Sequence, residues 1–86
     1  MRIFISQHTK ERALERGTNK KEILEVLSCG FSIAAKYGRK GKARVYDFKR
    51  TRLHRFYEQK RVEVFYIDED DDIIVLTVYV FYGKWE

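Results

Sequence analysis

Hydrophobic positions crowd most densely into Ile73-Ile74-Val75-Leu76-Thr77-Val78-Tyr79-Val80-Phe81-Tyr82, a run without charge, glycine or proline. Such a density of β-branched and aromatic side chains is what a strand covered on both faces carries. The pattern predicts the central strand of a sheet. Alternation puts Ile74, Leu76, Val78 and Val80 on an aliphatic face suited to a helix, and Thr77, Tyr79 and Phe81 on a mixed face. The run is about half as long as a membrane helix needs, and a lone strand leaves its backbone unsatisfied in lipid.

Upstream, Met1 to Ile5 reads as a short strand, and Ser6 caps a helix from Gln7 to Arg16 that Gly17 ends in a left-handed conformation. Ala13 and Leu14 are its clear apolar positions, while His8, Arg12 and Glu15, with Glu11 beside them, share the opposite face. Asn19, with Glu22 three residues on, caps a second helix whose stripe is Ile23, Leu24 and Leu27 and which stops at Gly30. Phe31 to Tyr37 alternates loosely, as a strand or an extended arm, and Gly38 to Lys42 is a turn. Ala43 to Phe48 is a strand, Lys49 to Gln59 a wide connection ending in an extended Phe56-Tyr57, and Arg61 to Ile67 another strand. Asp68-Glu69-Asp70-Asp71-Asp72 closes a hairpin onto the central strand, where its carboxylates bond nearby backbone and keep neighbours from pairing. The expected architecture is a single α+β domain over residues 1–86, with two N-terminal helices packed on a small, mainly antiparallel sheet.

Charge changes this picture by its distribution. Residues 36–61 hold eleven Lys and Arg against Asp47 and Glu58, whereas residues 62–86 hold seven acids against Lys84 alone. A positive field over one surface suits a polyanion or an acidic protein partner, and the count does not choose between them. Eighty-six residues leave no room for a cofactor domain, and the single cysteine, Cys29, excludes an internal disulfide and any cysteine-rich metal site. Cys29 falls near a helix end among apolar residues, as a packed, inert thiol. The N-terminal residues lack the apolar region of a signal peptide, so a cytoplasmic location is the expectation.

Candidate chemistry is correspondingly narrow. Two histidines without a ligating cysteine are a poor start for zinc, the serines lack a nucleophile turn, the glycines fit no phosphate loop, and the acidic run lacks calcium-loop spacing. No metal and no cofactor is expected. What the chain does carry is the side-chain set for cleaving RNA: a base for the 2′-hydroxyl proton, cations for the phosphorane-like transition state and a donor for the leaving oxygen. His8, His54 or Glu58 would handle protons, Arg12, Lys60 or Arg61 would hold phosphate, and Tyr57 or Tyr82 would stack on a base or donate a phenolic proton. Arg50, Arg52, Arg55, Arg61 and Lys84 extend the cationic set for RNA. The same features fit two further readings, a non-catalytic nucleic-acid-binding module and an interaction domain that pairs through a strand edge or Trp85.

The segments His8-x-x-x-Arg12-x-x-x-Arg16-Gly17, Lys21-Glu22-Ile23-Leu24-Glu25-Val26-Leu27, Tyr57 to Tyr66 and Ile74 to Trp85 together resemble the DUF4258 family. Its helix-helix-sheet order is similar to the BrnT and RelE/ParE toxins of toxin–antitoxin systems. The resemblance implies a RelE-like fold, a metal-independent endoribonuclease acting by 2′-hydroxyl attack, RNA or ribosome-bound RNA as target, and a cognate antitoxin as partner. A homodimer is compatible with it, and some relatives poison gyrase instead. The residues that match the family pattern are His8 with Arg12, Tyr57 with Lys60, and Tyr82 with Lys84. The acidic hairpin and Glu86 set this chain apart from RelE-type nucleases, which keep late cations for RNA.

Overall fold

The computed structural model describes residues 1–85; Glu86, counted above with the acidic C-terminal part, lies outside them. A two-residue strand β1 (Ile3–Phe4) precedes helices α1 (Gln7–Arg16) and α2 (Lys20–Cys29), followed by β2 (Phe31–Ile33), β3 (Lys40–Arg52), β4 (Arg55–Glu69) and β5 (Asp72–Gly83). The sheet runs β1-β5-β4-β3-β2, with β1 parallel to β5 and the other pairs antiparallel. The fold is therefore α+β, with two helices on a five-stranded mixed sheet.

The helices start and stop where the capping residues dictate. Ser6 Oγ accepts from Thr9 N and Asn19 Oδ1 from Glu22 N, each relieving an orphan donor of the first turn. Gly17, at φ 103°, turns its N–H back to the Ala13 and Leu14 carbonyls. A Cβ there would lie 1.9 Å from Tyr82 Oη, so both conformation and space demand glycine. Both helices cover one face of the sheet. Ala13, Ile23, Val26 and Leu27 pack on Val62, Val64, Tyr66, Val75 and Val78.

Four expectations need correction. β4, not β5, holds the middle of the sheet; the dense apolar run of β5 has a full-length neighbour on one side and only Ile3–Phe4 on the other. Its inward set is Ile73, Val75, Val78 and Val80: the expected Val78 and Val80 face inward, but Ile73 and Val75 take the place of Ile74 and Leu76, because a bulge opposite Phe65/Tyr66 inserts Leu76 and shifts the alternation. Residues 49–59 are not a wide connection. β3 and β4 stay paired to Arg52 and Arg55 around a two-residue turn, Leu53-His54, both at positive φ, with a bulge at Asp47/Arg50. The turn lacks the Asn or Gly that ordinarily marks this geometry, so nothing in the local sequence announced it. On α1, Leu14 is exposed, and Thr9 joins Ala13 in the contact with the sheet.

Candidate phosphate-binding surface

The i, i+4 spacing of His8, Arg12 and Arg16 places them along one side of α1, against the part of β5 that has run past β1. There they line a recess of about 270 Å³ with Thr9, Leu76, Thr77 and Val78. The extra residue of the bulge, Leu76, is among the residues that line this recess. Arg16 Nη1 donates to the Val78 carbonyl at 2.7 Å, closing one of the edge acceptors that β5 would otherwise leave to water. Its guanidinium also lies 5.4 Å from the centre of the Tyr79 ring. His8 and Arg12 remain exposed at the mouth. An imidazole and two guanidiniums, with no carboxylate among the described residues in the lining, make a site for an anion.

A second cationic region is the far end of the β3–β4 hairpin. Arg50, Arg52 and Arg55 lie over the rings of Phe48, Tyr82 and Tyr57 respectively, at 4.8, 4.9 and 5.9 Å. Tyr82 sits between the other two rings, 5.1 Å from Phe48 and 5.5 Å from Tyr57. Cation–π attraction supports each guanidinium without neutralising it. Arg52 Nη2 also donates to the Glu15 carbonyl at the end of α1, which ties this arm to the helix carrying His8 and Arg12. Among the described residues, none of Arg12, Arg16, Arg50, Arg52 and Arg55 forms a salt bridge.

Other candidates are engaged elsewhere. Lys60 is buried, and its Nζ donates at 2.8 Å to both the Gly17 carbonyl and Glu22 Oε1, which also accepts from Thr18 Oγ1. It pins the turn between the helices to β4 and is not presented to a phosphate. Tyr82 Oη donates to the Arg16 carbonyl at 2.7 Å, and burial raises its pKa, with Arg52 opposing. It acts as a strut for the C-terminal end of α1 rather than as an open proton donor. Arg61 pairs with Glu63 at 2.9 Å and lies over Phe31, while Lys84 is exposed beside Trp85, whose ring lies against Gly83. Tyr57 is half-buried, Glu58 is exposed, and His54 sits in the hairpin turn, outside the recess that holds His8.

The covered face carries a further polar set. Tyr46 donates to Glu25 Oε1, and burial together with that bond raises its pKa far above the usual tyrosine value. Lys42 Nζ donates to the Leu27 carbonyl in the last turn of α2, where a cation suits the helix dipole. Cys29, the last residue of α2, is exposed rather than packed. No cluster of three or more His, Cys, Asp or Glu side chains among the described residues is placed to hold a metal ion. No helix among them is long and apolar enough to cross a membrane. The residue sequence reasoning missed is Arg16, although the four-residue spacing from His8 through Arg12 already pointed to it.

Comparison with known proteins adds a family and no activity. Nothing among curated proteins or solved structures matches the chain. The family model described as "Domain of unknown function (DUF4258)" matches residues 5–80, which takes in both helices, the α1 recess and the whole basic hairpin. The chain belongs to the DUF4258 family.

Proposed function

We propose that this protein binds single-stranded RNA, holding its phosphates at the α1 recess and along the basic end of the β3–β4 hairpin. The observation that carries the reading is the sorting of the cations. Lys60 and Lys42 are consumed inside the fold, whereas Arg12, Arg16, Arg50, Arg52 and Arg55 lack carboxylate partners among the described residues, four of them being backed by rings. Unpaired guanidiniums interleaved with aromatics suit a backbone of phosphates carrying stackable bases. The test is the affinity of the protein for a labelled single strand as salt rises. Log affinity should fall linearly with log salt, by about 0.7 for each phosphate neutralised. Arg12→Ala should weaken binding and shallow that slope; a flat salt response removes the phosphate contacts.

The position of His8 beside Arg12 and Arg16 supports a second reading, a toxin-type endoribonuclease that needs no metal. His8 would accept the 2′-hydroxyl proton as that oxygen attacks phosphorus. The P–O5′ bond then breaks, the leaving oxygen takes a proton from water, and Arg12 and Arg16 hold the non-bridging oxygens. The products would be a 2′,3′-cyclic phosphate and a 5′-hydroxyl. Cleavage that persists in EDTA and disappears in His8→Ala supports this reading; cleavage unchanged in folded His8→Ala rejects it. The helix-helix-sheet order is in keeping with a RelE-like toxin and an inhibitory antitoxin, and co-purification with the product of a neighbouring gene would test that partner.

A further inference from the structure

The face of the sheet away from the helices carries a cluster of rings beside aliphatic groups such as Ile33. Phe65 and Tyr79 meet edge to face at 5.9 Å, and Tyr79 and Phe81 lie 6.2 Å apart at 34°. Phe65 lies across β3 because Gly41 has no side chain: a Cβ there would come within 2.9 Å of the ring. The connection after β2 stands beside these rings, so that Ala35, Tyr37, Phe65 and Tyr79 enclose a recess of about 310 Å³ with Lys36 and Arg39 at its rim. Tyr37 is 88% exposed and Tyr79 42%. No acid among the described residues lines the recess, and Glu63 of β4 is held by Arg61 at 2.9 Å.

This recess adjoins the phosphate site. Thr77 lines both of them, and Arg16, which lines the first, lies over the ring of Tyr79, which lines the second. Only the free edge of β5 separates the two. We infer that the ring-lined recess receives an unpaired nucleobase of the RNA whose phosphate sits at Arg12 and Arg16, the strand crossing the edge of β5 at Thr77. The inference rests on the RNA-binding reading and gives that site its ligand class: a single strand with at least one unstacked base. Flat rings accept any base by stacking, and the rim cations Lys36 and Arg39 are placed for the next phosphate. A duplex, whose bases are paired and stacked, offers no base to this recess.

The experiment compares labelled single-stranded RNA with an abasic sugar-phosphate strand of the same length. It uses the wild-type chain, Tyr79→Ser, Tyr37→Ser and Arg12→Ala, with circular dichroism confirming that each is folded. Tyr79→Ser should weaken base-bearing RNA about tenfold and the abasic strand less than about twofold, in line with the loss of one stacking contact. Tyr37→Ser, at a site too exposed to affect folding, should act in the same direction. Arg12→Ala should weaken both strands alike. If the tyrosine variants leave RNA affinity unchanged while Arg12→Ala lowers it, the phosphate site stands and the base recess is refuted, as it would be were this face a protein-docking surface. Equal losses on both strands also refute it, and a wild-type chain that binds neither strand overturns both readings.

Discussion

Lys60 and Arg55 stand five residues apart on β4 and meet opposite surroundings. Lys60 lies under the turn between the helices, with a carboxylate and a carbonyl within 2.8 Å of its nitrogen. Arg55 stands at the end of the hairpin, exposed, with a ring for its nearest support. The covered middle of the sheet satisfies its polar groups internally: no buried side-chain nitrogen or oxygen among the described residues lacks a partner. The protruding end does not. For Lys60 and Arg55, the place relative to the two helices decides whether the cation supports the fold or remains available to an anion.

The largest effect expected from disturbing this contrast is at Lys60. Lys60→Met leaves the half-buried Glu22 carboxylate without its cation, with the Thr18 hydroxyl still bonded to it, and the Gly17 carbonyl without the ammonium donor, and should cost about 3 kcal/mol, measured by urea unfolding. The RNA affinity of the folded protein should stay unchanged. The opposite pairing of effects is expected from Arg50→Ala, Arg52→Ala and Arg55→Ala combined. RNA affinity at low salt should fall at least tenfold and the salt slope by about two, with a stability loss within about 1 kcal/mol from the Arg52 bond to Glu15.

The hairpin tips supply a smaller test. Leu53-His54 and Asp70-Asp71 have nearly the same backbone, with φ of 50° and 67° in the first and 50° and 70° in the second. Aspartate tolerates that region better than a branched aliphatic side chain does. Leu53→Asn with His54→Gly should therefore stabilise the protein by about 1 kcal/mol, whereas Asp70→Asn with Asp71→Gly should change it less. Thermal melts would compare the two. A persistent cost at the first tip marks a residue retained there for contact.

The smallest effect concerns alkaline pH. The raised pKa of Tyr46 means that the folded state holds the phenolic proton more tightly than the unfolded chain. Its contribution is complete below about 10 and is lost as pH rises through the folded value. Melting temperature should decline above that pH, and Tyr46→Phe should flatten the decline; an identical slope in the variant would exclude Tyr46 as its source.

Much of the frame was legible because it rests on local chemistry. Ser6, Gly17 and Asn19 sit at the helix ends they predicted, and the expected strand from Arg61 to Ile67 lies within the longer β4. What was not legible depends on partners distant in sequence. The bulge at Leu76 is set by the register of β5 on β4, and it inverted the expected inner face at Ile74 and Leu76. Lys60 matched a functional pattern, yet its burial depends on Glu22 and Gly17, about forty residues away. The hairpin tip was missed because Leu53-His54 is not turn chemistry. At the candidate site, His8 and Arg12 were found together through helical spacing. The base recess needs Tyr37, Phe65 and Tyr79, from three segments, and no spacing in the chain brings them together.

The central claim is that the cations left unpaired by the fold bind RNA phosphates. The most direct measurement is the salt dependence of single-stranded RNA affinity for the wild-type chain, Lys60→Met and Arg12→Ala, each shown to be folded. The expected result is a steep linear dependence for the wild-type chain, the same slope for Lys60→Met, and a slope lower by about 0.7 for Arg12→Ala. A slope that falls for Lys60→Met but not for Arg12→Ala would contradict it.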